Sequence, residues 1–317
     1  AVDVLAELDD VCAAGAASPE VQGSPVAAPA LAALQGTVTT AHEALALKTK
    51  LASELAAAIH GLELAVAAVA AAARTIITIV PSSREVRLVF EGPQGLLSAL
   101  AADALCIEMT SADPSATREL APKVAARGAH LIDAPVSGGV RGANEGTLAI
   151  MVGGPATLLE RARPVLERMG KNVFHAGPVG TGHAIKLVNN MCSGGILALT
   201  IEAVAVAAKA GVDPARAVEI IQASSGRSNA SDYKFPKFIL NGAFDAGFAI
   251  RLMLKDVDGY ARLAQEGGVP SLIGRAATEI YRMAVARGMA ELDHTAVARL
   301  IEEWAGIELR SKPGDPA

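Results

Sequence analysis

From Arg74 onward the chain repeats one pattern: a short β-branched or aliphatic run, a turn signal, then a helical stretch. Arg74 to Pro81 (RTIITIVP) ends in proline and reads as a buried strand. Ser82 and Ser83 offer an N-cap for a helix carrying Val86, Leu88 and Val89. Leu105 to Met109 is the next strand, and Pro114 suits the first turn of a helix running to Ala126. His130 to Ala134 and Leu148 to Val152 supply two more strands, and Pro155 to Met169 a helix closed by Gly170. Strands alternating with helices predict a mostly parallel, doubly wound sheet.

From Gly182 the strand signals stop. Ala184 to Ala210 is one long, nearly all-apolar helical stretch, expected to be buried, and Gly211 ends it. Amphipathic helices follow at Pro214 to Ala223, Ile250 to Gln265, Leu272 to Arg287 and Thr295 to Trp304, separated by turns such as Gly267-Gly268. The expected organisation is an α/β domain over residues 1–176, an all-α domain over 177–310 and a polar tail over 311–317.

Residues 1–73 stand apart. They contain no Arg, Asn, Met, Phe, Tyr or Trp, and Ala supplies 25 of the 73. A core is normally built on large side chains, so three readings stand side by side: an Ala-rich helical segment, a diverged domain half, or written letters that differ from the true residues.

Over the whole chain, 51% hydrophobic residues against 19% charged exclude a disordered solvating polypeptide. A net charge of −5 argues against a nucleic-acid partner. The longest uninterrupted aliphatic run, Leu64 to Ala73, is too short for a bilayer, so no membrane partner is expected. No export signal is recognised, which leads to an expected cytoplasmic location. Cys12, Cys106 and Cys192 lie far apart and read as reduced, buried thiols, and no spacing suggests a metal site.

Two segments carry chemistry. Asp133 to Gly146 (DAPVSGGVRGANEG) reads as a strand end running into a glycine-rich loop, where Ser137, Gly138 and Gly139 leave backbone N–H groups free for a small carboxylate. Gly177 to Asn190 (GPVGTGHAIKLVNN) opens the long helix with three glycines and places Lys186 and Asn190 one turn apart on one face. A lysine on an otherwise apolar helix is costly unless it lines a polar cleft, and partial burial lowers its pKa towards neutrality, making it a usable acid or base. His183, among the glycines, is taken as a spectator. Phe248 to Asp256 (FAIRLMLKD) reads in isolation as a helix face with a solvated Lys255-Asp256 pair.

In this order, the three segments resemble the β-hydroxyacid dehydrogenase family over about residues 74–304. The resemblance implies a Rossmann-type dinucleotide-binding N-terminal domain, an all-α substrate and dimerisation domain, NAD or NADP as cofactor, and hydride transfer to or from a small β-hydroxy acid. It implies Lys186 as catalytic acid/base, Asn190 beside the substrate, and Ser137, Gly138 and Gly139 at its carboxylate. Val80, Pro81, Ser111 and Lys255 are implied at the cofactor, and a homodimer or homotetramer is expected.

The family's opening G-x-G-x-x-G is missing. The best-placed stretch, Val21 to Val26, keeps one glycine, Gly23, and its Pro25 lacks an amide donor. Two rival readings follow: a non-catalytic relative that binds a small acid or a partner, and a reductase of imines or other carbonyl analogues.

Overall fold

The computed structural model describes residues 66–310, with four isolated positions nearer the N-terminus. Cys12, Gly23 and the tail expected at 311–317 lie outside the described residues. Residues Ala67–Ala317 form one compact unit.

The sheet holds six strands among the described residues: β1 (Thr75–Thr78), β2 (Leu105–Glu108), β3 (His130–Asp133), β4 (Val136–Ser137), β5 (Ala149–Gly153) and β6 (Asn172–Gly177). The strands β1, β2 and β3 are parallel neighbours. β5 then runs antiparallel to both β3 and β4, while β6 lies parallel to β5. Three of the five strand pairings are parallel, as expected. The two antiparallel ones arise because the chain reverses between β4 and β5, so that β5 runs against both β3 and β4.

Between the strands lie α1 (Ser83–Glu91), α2 (Leu96–Ala99), α3 (Pro114–Ala125), α4 (Gly139–Glu145) and α5 (Ala156–Met169). Side chains set their starts. Ser82 Oγ accepts from the Arg84 amide at 3.2 Å and donates to Glu85 at 2.6 Å. Asp113 accepts from the Ser115 amide at 2.9 Å, with Pro114 in the first turn of α3. Every residue of β2 is buried, and Leu105, Ile107, Ile132, Ile150, Leu159 and Leu166 form the core under the sheet.

The second half is helical: α6 (Thr181–Lys209), α7 (Pro214–Gln222), a π-helix (Ala230–Ile239), α8 (Ile250–Glu266), α9 (Leu272–Ala286), a 3₁₀ turn (His294–Val297) and α10 (Ala298–Ala305). The helix expected from Thr295 thus begins as a 3₁₀ turn, with Asp293 accepting from the Thr295 amide at its start. α6 meets β3, β5 and β6 and packs against α7, α8, α9 and α10. Its core neighbours include the fully buried Phe235, Ile239 and Tyr281. By length and composition α6 could cross a membrane, yet here it is the central helix around which the others assemble.

Within the single chain α6 leaves Ile196, Leu199 and Val206 exposed, the part of its surface for which a second subunit is the expected cover. One burial expectation needs correction. Among the cysteines, Cys106 is buried, with burial pushing its thiol up to about 12, but Cys192 is exposed on α6.

Candidate active site

The parallel register sets Thr78, Glu108 and Asp133 side by side at the carboxyl ends of β1, β2 and β3. All three are buried, and open α/β sheets bind ligands at this edge. Glu108 Oε1 accepts from the Thr110 amide at 2.8 Å, and Thr110 Oγ1 accepts from the Val80 amide at 3.0 Å. One carboxylate thereby fixes both loops that carry Val80, Pro81 and Ser111.

Asp133 turns towards α6. Its carboxylate accepts from the Gly180 amide at 2.6 Å and the His183 amide at 2.9 Å, at the positive end of the long helix. Burial is the largest influence on this carboxyl and raises its pKa, against the His183 charge and the two amide bonds. The approach leaves no room at Gly182, where a Cβ would lie 2.2 Å from the Met151 carbonyl. The glycines that open the helix therefore serve close docking onto the sheet.

His183 is no bystander in the packing. Its ring lies 3.0 Å from Glu108 and 2.8 Å from the Thr117 hydroxyl, fully buried. It joins α6 to β2 and α3 and faces away from solvent.

Three residues on, Lys186 is 7% exposed, and Asn190 follows on the same buried face. Burial is the main cause that lowers the Lys186 pKa to about 8; the Asp256 charge pulls it up and the Lys255 charge pushes it further down. Asn190 Nδ2 donates to Asp256 Oδ2 at 2.5 Å, and Lys255 Nζ pairs with Asp256 Oδ1 at 2.8 Å. Lys255 Nζ also donates to the Ser111 carbonyl. The structure therefore brings Lys186, Asn190, Lys255 and Ser111 together around Asp256. That carboxylate is fully buried, not the solvated partner expected from the isolated segment.

The Asp133–Gly146 segment folds into β4 and α4, where a loop was expected. Gly138 and Gly139 take φ of 134° and 62°, values that side-chain-bearing residues rarely adopt, and both stay exposed at the start of α4. Asn189 Nδ2 reaches towards Ser137 Oγ at 3.5 Å, linking this loop to the Lys186 face. Beside Ser111 and Lys255 lies an open cavity of about 340 Å³, also lined by Ser82, Ser83, Asp256 and Arg262. Val80 and Pro81 stand at the end of β1, outside its lining.

Asn189 and Glu108 were not singled out from sequence, and Asp256 was read only as half of a solvated pair. Asn189 had a signal, since a second Asn beside Asn190 also falls near the Lys186 face. Glu108 had one too, as a carboxylate inside an otherwise apolar strand run.

Comparison with known proteins agrees with this geometry. A model described as the NAD binding domain of 6-phosphogluconate dehydrogenase matches residues 23–177. One described as the NAD-binding of NADP-dependent 3-hydroxyisobutyrate dehydrogenase matches residues 180–301. The 2-(hydroxymethyl)glutarate dehydrogenase of Eubacterium barkeri is 40% identical over 241 residues, 76% of this chain and 80% of that protein. The 3-hydroxyisobutyrate dehydrogenase of Pseudomonas aeruginosa is 38% identical over 228 residues, 70% of this chain and 76% of that one. The solved structure of Mycobacterium tuberculosis 3-hydroxyisobutyrate dehydrogenase with L-serine superposes with a TM-score of 0.68 at 32% identity, covering 74% of this chain and 81% of that one. Matched along both its strand-bearing and its helical halves, the chain belongs to the β-hydroxyacid dehydrogenase family and is a dehydrogenase that uses NAD or NADP.

Proposed function

We propose that this protein interconverts a small β-hydroxy acid and its carbonyl form, with Lys186 as the proton-transferring residue. The observation that carries the reading is Lys186 itself: a buried ammonium on an apolar helix, brought to a pKa of about 8 mainly by burial. Catalytic groups work best when their pKa lies near the operating pH.

The described residues fit the nicotinamide end of the cofactor. Ser111 and Lys255, with the hydroxyls of Ser82 and Ser83, give the cavity a mixed donor and acceptor lining suited to a carboxamide. They would hold that end together with Val80 and Pro81. When bound, NAD or NADP supplies the hydride acceptor or donor.

Ser137, Gly138 and Gly139 would take the substrate carboxylate with the uncovered amides of the α4 start. That anchor fixes which carbon is presented, a positional contribution. Lys186 in its neutral form accepts the proton of the substrate hydroxyl, and in its charged form returns it. Asn190, held by Asp256, borders the reacting hydroxyl and keeps Asp256 turned towards Lys255. Relatives named for 2-(hydroxymethyl)glutarate, 3-hydroxyisobutyrate and L-serine set the panel of candidate substrates.

The test begins with calorimetric titration of NADH and of NADPH, followed by turnover of the panel with whichever binds. Micromolar binding and turnover of one member support the reading. Binding of neither nucleotide hands it to the non-catalytic relative.

An assembly of two or more copies completes the proposal. Ile185, Cys192, Ile196, Leu199 and Val206 are exposed along α6 at intervals of seven, four, three and seven residues, the repeat of a helix–helix seam. Light scattering of Leu199→Glu should show smaller particles than wild type; unchanged size would remove this seam as the interface.

A further inference from the structure

Lys234 is a second buried lysine that the proposed mechanism does not use. It is 6% exposed and sits on the π-helix Ala230–Ile239, a geometry found mostly in short pieces and frequently at functional sites. Its Nζ donates to the Ser193 carbonyl at 3.0 Å and to the Ser193 hydroxyl at 2.8 Å. Ser193 lies seven residues beyond Lys186, two turns along the same face of α6 and about 10 Å along its axis.

Asn189, between them, reaches towards Ser137 in the carboxylate loop. The π-helix comes near the same loop from the other side: Tyr233 is close enough to Arg141 of α4 to help raise its pKa. The order along the face is therefore Lys186, then the carboxylate loop, then Lys234.

An ammonium has three donors, and Ser193 occupies two of those of Lys234. Burial lowers its pKa to about 8, and the one charge that supports it is Asp293. That carboxylate is already taken up by the amides of Gly247, Phe248 and Thr295. A buried cation with a spare donor and no dedicated counterion is costly, and an anionic ligand relieves that cost.

We propose that Lys234 recognises a second carboxylate on the substrate, so that the preferred substrate is a dicarboxylic β-hydroxy acid. The inference rests on the dehydrogenase reading above and sharpens its substrate class.

The test compares the full chain with Lys234→Met and Lys234→Arg, using 2-(hydroxymethyl)glutarate and 3-hydroxyisobutyrate as substrates. Lys234→Met is expected to raise KM for the dicarboxylate about 10- to 100-fold, the loss of one charge-assisted hydrogen bond. Its kcat should stay within about twofold, with KM for the monocarboxylate unchanged. Lys234→Arg should retain part of the preference.

An equal loss on both substrates, with a lowered Tm, would make Lys234 a structural clamp on α6 and overturn the proposal. So would no change on either. Calorimetric titration with glutarate, with and without nucleotide, separates the two readings. If wild type turns over no substrate yet binds glutarate through Lys234, the dehydrogenase reading fails and the subsite stands. If substrates turn over but glutarate does not bind, the subsite alone fails.

Discussion

Lys186 and Lys234 lie at two stations of one helix face and have been brought to the same pKa, about 8, chiefly by burial. Their surroundings differ in kind. Around Lys186 the neighbouring influences are charges of opposite sign, Asp256 and Lys255. Around Lys234 two oxygens of Ser193 hold the ammonium in place. An ammonium balanced between charges can hand its proton to a substrate and take it back, whereas one tethered by hydrogen bonds to fixed oxygens is suited to binding. A shifted pKa alone therefore does not separate a catalytic lysine from a recognising one; the partners do.

The contrast breaks most sharply at Lys186→Ala. Turnover should fall about 10²- to 10⁴-fold, the usual worth of a positioned acid or base, with nucleotide affinity nearly unchanged. Steady-state kinetics beside calorimetry would check it, and near-normal turnover would give the proton-transfer role to another group.

The pH dependence should be nearly as large. The lowered pKa means that Lys186 is charged below about pH 8 and neutral above it. Oxidation of the hydroxy acid needs the neutral form, so its kcat/KM should rise about tenfold per pH unit up to about pH 8 and then level. Reduction needs the charged form and should decline above that point. A profile that is flat in both directions between pH 6 and pH 9 would contradict the assignment.

Next in size is Ser137→Leu, which places an apolar side chain on the loop proposed to bind the carboxylate. KM should rise about tenfold, the loss of a hydrogen bond or two, while Tm holds. Unchanged KM would move the carboxylate elsewhere.

The smallest effect sharpens the comparison best. The Asp256 charge raises the Lys186 pKa, so Asp256→Asn should shift the midpoint of the pH profile downwards, by up to about one unit. Lys234→Met should leave that midpoint in place. Equal shifts from both variants would show the two lysines to be electrically one site.

Much of this was legible in the letters. The strand runs at Thr75, Leu105, His130 and Ala149 and the helices at Pro214, Ile250 and Leu272 follow from periodicity, proline and glycine, which act over a few residues. Lys186 and Asn190 were legible together because helical spacing converts sequence distance directly into a shared face. The reversed strand β5, the π-helix and the helix α4 were not, since each depends on contacts made far along the chain. Burial of Asp256 was hidden for the same reason: Lys-Asp on an amphipathic helix looks solvated until the face that covers it is known.

By itself, then, the sequence determined an α/β half followed by a helical half, the family, and the lysine that stands out on an apolar helix. Tertiary structure alone decided which charges surround that lysine, that Glu108 and His183 tie the loops after β1 and β2 to α6, and that Lys234 faces Ser193. The physical reason is range. Backbone propensity and side-chain periodicity are local and written in neighbouring letters, whereas desolvation and ion pairing depend on groups such as Asp256 and Lys186, which are 70 residues apart in the chain and adjacent only in the fold.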